Sequence, residues 1–336
     1  MIRKTFFILL LIFLFGKINS QCFTSPGNPI GGNVNMGVVN KNMFRVSSFY
    51  KYSYSGRYFF GDELYTEEKG KTFKYAYYNY VGAMIAYGIT NRLTFETEFG
   101  YFINKTRAFA TAETGYGPSN ALLTAKYQLY NNTDSRFEIT AGAGGKIPLR
   151  HSAQINDGIV LAPEAQSSAG AYGLVAQSYI IKEFPFQAIR IFFISQYEHN
   201  LPSTPDYYEG KKYSFGDALT VSLFFTKHLH LPPALDWLSQ NWTVILQLRN
   251  ERKGKNEFIS TDVENPQWIE VPNSGSSVYF ASPQLNYTLN SVWNISVTFD
   301  IPIYQHYEMK QMATDYAFNI NLSKDIDLSG KYIPKE

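Results

Sequence analysis

Between Phe44 and Leu322 the chain alternates apolar and polar residues in about twelve stretches, separated by connections that are by turns long and short. Successive side chains of a strand point to opposite faces, so each stretch reads as a strand with one oily and one wet side. The pattern is cleanest from Val292 to Ile303, where Trp293, Ile295, Val297, Phe299, Ile301 and Ile303 interleave with Asn294, Ser296, Thr298 and Asp300. Leu93, Phe95, Phe99 and Tyr101 oppose Thr94, Glu96 and Glu98 in the same way. Leu285, Tyr287 and Leu289 oppose Gln284, Asn286, Thr288 and Asn290, and Trp242, Val244, Leu246 and Leu248 oppose Thr243, Gln247 and Arg249. A soluble β-sandwich also alternates. Strands of nine or more residues with aromatic ends, joined by connections of alternating length, instead mark a transmembrane β-barrel.

The connections carry the topology. Gly88 to Arg92, Asn131 to Ser135, Lys182 to Pro185 and Asn290 to Ser291 are short, whereas Ser53 to Thr72, Asn104 to Asn120, Ile147 to Ser167, Glu198 to Lys212, Arg252 to Ser277 and Gln305 to Asp315 are long. Thr226 to Gln240 is the exception, a long connection on the short-turn side. Outer-membrane barrels keep short turns in the periplasm and long loops outside, which implies an even strand count and periplasmic termini. The expected fold is all-β, an antiparallel up-and-down transmembrane barrel of about twelve strands, or fourteen if Asn33 to Val39 or Asp325 to Ile333 also pairs. The expected division is a signal peptide over 1–20, a periplasmic segment or lumen plug over 21–43, the barrel over 44–323 and a tail over 324–336.

The N-terminus agrees with that placement. Arg3 and Lys4 precede the apolar run Phe6 to Phe15, which at about ten residues is too short to span a bilayer and has the form of a secretory signal ending at Ser20. Cys22 is the only cysteine, so no intramolecular disulfide can form. Cys22 follows Gln21 rather than a small residue, which argues against a lipidated N-terminus. The 26 tyrosines and 26 phenylalanines, set against few charges and no second long apolar run, suit strands with one face in lipid.

The turn Tyr87-Gly88-Ile89-Thr90-Asn91-Arg92-Leu93-Thr94-Phe95 resembles the periplasmic turn of outer-membrane transporters of the meta-pathway of phenol degradation type, which are distantly similar to long-chain fatty-acid transport barrels. The resemblance implies an outer-membrane barrel that takes up a small, hydrophobic solute. The chain departs from many such barrels at its end, running past Phe318, Ile320 and Leu322 to Lys324 and Glu336 instead of finishing on an aromatic residue.

The polar faces name the lumen candidates: Glu96, Glu98, Lys126, Glu138, Arg249, Asn286, Asn294 and Asp300. Their signs are mixed, with neither the cationic ladder of an anion pore nor the acidic ring of a cation pore. Either these side chains pair and fill a narrow barrel, or they line a solvated solute path. Phe186 to Gln196 reads as a strand that is apolar on both faces, needing either wall packing, a plug such as Ser25 to Val39, or an apolar solute against its inner side.

Other chemistry finds little support. None of the five histidines lies in a catalytic motif, and none of the residues forms a metal-binding pattern beyond the weak pair His228 and His230, so no enzyme activity, cofactor or metal is expected. A net charge of +2 gives no footprint for nucleic acid. The basic cluster Arg249, Arg252, Lys253 and Lys255 suggests lipopolysaccharide phosphates as a surface partner. The stretch around Trp237 and Leu238 reads as a short helix at the membrane surface, and it joins Trp268 and Ile269 as candidate partner surfaces. Two functions follow: passive or gated passage of a small solute, or a non-conducting accessory barrel in a larger outer-membrane assembly.

Overall fold

The computed structural model describes residues 37–66, 74–108, 112–156, 158–206, 211–229, 241–260, 266–289 and 292–329. Twelve long strands form one closed sheet: β1 (Met43–Ser55), β2 (Tyr75–Gly88), β3 (Leu93–Ala108), β4 (Asn120–Asn132), β5 (Phe137–Pro148), β6 (Gly173–Phe184), β7 (Ile189–Asn200), β8 (Ala218–His228), β9 (Trp242–Lys253), β10 (Ser276–Leu289), β11 (Trp293–Ala313) and β12 (Tyr316–Asp327). Every strand pairs antiparallel with its neighbours in sequence, and β12 returns to β1 from Met43↔Asp327 to Tyr54↔Tyr316. Closure leaves no unpaired edge in lipid, where an unsatisfied backbone group costs several kcal/mol.

The alternation read from the sequence sorts the two faces. Phe95, Leu129, Leu246, Leu285, Val297, Ile301 and Ile320 point outward and are exposed. Aromatic residues gather at the belt's ends: Tyr52 and Tyr54 lie 5.5 and 5.6 Å from Phe318 and Tyr316 at one end, and Trp242 lies 4.7 Å from Tyr287 at the other. The inner face, by contrast, is mostly hydroxyl, amide and charge.

Three expectations are corrected. Phe186 does not begin a strand: Pro185–Gln187 form a single 3-10 turn closed by Ala188 at φ 50°, and Phe186 is fully exposed. Gln305 to Asp315 is not a long loop, because β11 runs 21 residues and meets β12 through Thr314 and Asp315 alone. At ~3.3 Å per residue and a tilt near 40°, β11 rises roughly 50 Å, about twice an apolar band of ~25 Å. Beyond the band both faces are wet, so alternation no longer reports it. There β11 pairs with a short hairpin, Arg57–Gly61 and Glu63–Tyr65, inside the long connection after β1. Third, the last strand runs four residues beyond 323, with Arg45 donating to both carboxylate oxygens of Asp325 at 2.6 and 2.7 Å. The sheet closes with the expected twelve strands: Gly37–Val39 form no strand, and Asp325–Asp327 extend β12.

Residues 1–20, expected to be a signal peptide, residues 21–36, the stretch holding Trp237 and Leu238, and residues 330–336 lie outside the described residues. Among the described residues no helix is long and apolar enough to cross a membrane.

Candidate functional site: the barrel lumen

A cavity of about 80 Å³ crosses the middle of the lumen, and ten of the twelve strands contribute to its wall. Of the two that do not, β5 turns Gly142 inward, where an added Cβ would lie 3.3 Å from the Lys126 stem. The missing side chain gives Lys126 its room.

Charges in the wall are closed on one another. Lys126 Nζ donates to Glu96 Oε2 at 2.7 Å and sits 4.8 Å from the Tyr179 ring centre, on which the cation is further stabilised. Arg249 holds Asp300 with both terminal nitrogens, at 3.2 and 2.9 Å, while Ser282 Oγ donates to the same carboxylate at 2.6 Å. Lys51 Nζ adds a second cation 3.5 Å from Asp300, and Glu251 a second anion 2.9 Å from Arg249. Lys146 Nζ donates to Glu198 and Asn200. Apart from Arg249 and Glu251, which share β9, these groups come from strands one or two positions apart, so the pairs tie the wall laterally. Glu98 lines the same cavity and takes part in none of these ion pairs.

Two rings lie flat against the wall because glycine faces them on the next strand. Phe49 on β1 is in register with Gly82 on β2, and a Cβ at Gly82 would fall 2.2 Å from the Phe49 ring. Tyr80 on β2, in register with Phe102, reaches diagonally over Gly100 on β3, where a Cβ would meet the Tyr80 hydroxyl at 2.1 Å. Tyr80 is fixed there by a 3.0 Å hydrogen bond with Ser119 Oγ. Each ring therefore fills wall instead of lumen.

An apolar patch lies nearer the short-turn end. Ile181, Phe192, Phe224 and Ile245 are buried together, with the Phe192 and Phe224 rings stacked 4.4 Å apart at 12°. This resolves the doubly apolar strand: Phe192 and Ile194 belong to the inner cluster, and Ile191 and Phe193 to the opposite face. The chain ahead of β1 reaches the same mouth. Val39 N–H donates to Thr94 Oγ1 at 2.8 Å, and Gly37 lies against Glu138 and Ile181.

At the other end three connections interlock. Residues 149–172 fold back on the wall, where Lys105 Nζ donates to Gln166 O at 3.0 Å and Arg107 pairs with Glu164 at 2.9 Å. Lys211–Ser214, Glu257–Ser260 and Ile269–Glu270 form a small sheet. Its Tyr213 packs with Phe215, Ala169 and Ala171, and Asn256 Nδ2 donates to Tyr213 OH at 2.5 Å. Lys255 bridges Glu270 at 2.7 Å and Glu308 at 3.0 Å. Those carboxylates raise its pKa above the ordinary lysine value.

All eight lumen candidates lie on the inner face. Glu96, Glu98, Lys126, Arg249 and Asp300 surround the cavity. Glu138 stands at the short-turn mouth, accepting from Thr140 at 3.0 Å, while Asn286 and Asn294 lie toward that end, with Asn294 accepting from Thr288 at 2.8 Å. Reasoning from the sequence overlooked Lys51, Lys146, Glu198 and Glu251, although Lys51 sits plainly on the wet side of Phe44–Ser55 and its parity would have found it. The basic cluster does not form one surface patch: Arg249 is buried in the lumen and Lys255 is held by two glutamates, because 249 and 252 fall on opposite faces of β9. Trp268 and Ile269 are exposed beside the small sheet. His228 meets Thr243 Oγ1 at 3.3 Å, and His230 lies outside the described residues. Among the described residues no three His, Cys, Asp or Glu side chains cluster to hold a metal.

A closed up-and-down barrel with an apolar belt outside and polar, charge-paired walls inside is an outer-membrane β-barrel. Solved structures share the fold. The COG4313 outer membrane channel from Pseudomonas putida F1 superposes with a TM-score of 0.62 at 11% identity, over 88% of this chain and 99% of that one. Weaker matches are the TodX deltaS2S3 mutant monoaromatic hydrocarbon channel (TM-score 0.45, 8% identity, 86% and 91% covered) and the Ralstonia pickettii toluene transporter TbuX (0.40, 8%, 86% and 90%). No protein-family model and no curated protein matches the sequence.

Proposed function

We propose that this barrel passes a small solute across the outer membrane through its lumen, with the short turns and both termini in the periplasm. The carrying observation is the cavity across the lumen, walled by ten strands with side chains whose charges, Glu98 apart, are closed in ion pairs. A barrel meant only to be solid would fill that section with side chains and leave no such cavity, as small barrels do. The apolar patch around Phe192 and Phe224, which borders the cavity through Phe224, and the residues Gly37–Val39 lie toward the short-turn mouth, where a gate would act. The sequence resemblance to solute-transporting barrels points the same way.

Single-channel recording of the purified protein in planar bilayers tests this reading. Discrete conductance steps are expected, with cation preference altered by Glu98→Gln. Silence from a correctly folded barrel would refute it. The interlocked loops, with Trp268 and Ile269 exposed on them, favour a second reading, an accessory barrel that holds a partner at its loop end. Stoichiometric co-purification of an outer-membrane protein, abolished by Trp268→Ser, would support that alternative.

A further inference from the structure

Around the cavity the charges other than Glu98 are closed in ion pairs, while several neutral amides are left open. Gln284 on β10 stands in register with Thr298 on β11 and, through it, with Asn319 on β12; Asn286, Ser296 and Asn321 form the next such row. Gln284, Asn319 and Asn321 are each more than nine-tenths buried. Yet both amide atoms of Gln284, Oδ1 of Asn319 and Nδ2 of Asn321 have no hydrogen-bond partner in the protein. Asn319 and Asn321 line the central cavity directly.

We propose, resting on the transport reading above, that this cavity is a binding subsite for an uncharged, hydroxyl-rich solute about the size of a monosaccharide. The amide wall presents acceptors and donors side by side, and a hydroxyl is the group that serves both. Half-way round the barrel from β12, Tyr179 on β6 lines the cavity with Leu122 and Phe224, an apolar wall suited to the C–H face of a sugar ring. Glu98 adds an acceptor outside the closed ion pairs.

Size agrees: where one water takes ~10–15 Å³, this cavity holds roughly five to eight, or ~150–240 Å³ of liquid. The amides also discriminate. A hydrocarbon that displaced water from Asn319 and Asn321 would leave buried donors and acceptors unmade, whereas a polyol replaces those hydrogen bonds. An anion gains little from a wall whose cations already have partners.

The test is block of the open-channel current of the full-length protein by glucose, with gluconate and benzyl alcohol as probes of similar size. Saturable block by glucose, stronger than by either other probe and weakened about tenfold by the double variant Asn319→Leu, Asn321→Leu, is expected. If the double variant does not form a heat-modifiable barrel, the ranking of the three probes on the wild-type protein decides. A conducting channel in which glucose lowers current only through viscosity, or benzyl alcohol blocks best, overturns the subsite and spares transport. A silent wild-type barrel overturns both.

Discussion

Replacing Asp300 by Asn is the sharpest perturbation of the lumen wall. The change keeps shape but removes the anion that Arg249 grips twice, Ser282 contacts at 2.6 Å and Lys51 approaches to 3.5 Å. Side-chain exposure is 5% for Arg249 and 3% for Asp300, so solvent does little to screen the loss. Glu251 alone would then face two cations. Removing one partner of a buried pair costs about 3–5 kcal/mol, because the other charge stays buried and uncompensated. The expected result in equilibrium urea unfolding from detergent micelles is a loss of that size. Adding Arg249→Met should restore most of it, since removing both charges together is often near neutral. A loss under about 1 kcal/mol, or a double variant whose losses simply add, would refute the claim that this pair is a buried, coupled unit.

Further outcomes follow from the same geometry. Gly82→Ala should push the Phe49 ring off the wall into the cavity and lower single-channel conductance, with little change if the ring can slide along β1. Phe192→Ala, which empties one half of the 4.4 Å stack, should cost about 3–5 kcal/mol in the same unfolding assay. Glu98→Gln should reduce cation over anion selectivity, read from the reversal potential in a salt gradient. Lys255 binds its proton more tightly when tied to Glu270 and Glu308, so its tether holds below the ordinary lysine range and is lost as pH rises through its raised value. Proteolysis of the loop end should therefore speed up at strongly alkaline pH in the wild-type protein, without that step in Lys255→Met, which should be cut faster at neutral pH.

How much of this was legible in the sequence depends on which contacts a period of two can report. Trp293 to Ile303 or Leu93 to Tyr101 face lipid on one side and the lumen on the other, so alternation gave their strands and every inward candidate from Glu96 to Asp300. The upper half of β11 was read as a loop because Gln305, His306 and Glu308 are polar on both faces once the strand leaves the apolar band. Phe186 was read into a strand because it continues an apolar run, although Pro185 cannot donate to a ladder and better marks a turn. The pairings Phe49 with Gly82, Tyr80 with Gly100 and Arg249 with Asp300 require register between strands, which no single strand's pattern contains. The fold-back of the connection after β5 rests on Lys105 donating to Gln166 O, Arg107 to Glu164 and Gln154 Nε2 to Tyr116 O at 2.6 Å, partners distant in sequence of which a loop composition carries no trace.

The central claim is that solvent runs through the lumen past the wall formed by β8, β9, β11 and β12. Ser222 lines the cavity and is small, and Cys22 is the only native cysteine, so Ser222→Cys in a Cys22→Ser background places one thiol there. The measurement is the rate at which a charged, membrane-impermeant thiol reagent modifies it from each side of a planar bilayer. Modification from both sides, with a matching fall in current, is the expected result. A thiol that reacts from neither side in the folded barrel but is modified after unfolding would contradict the account and leave a closed barrel.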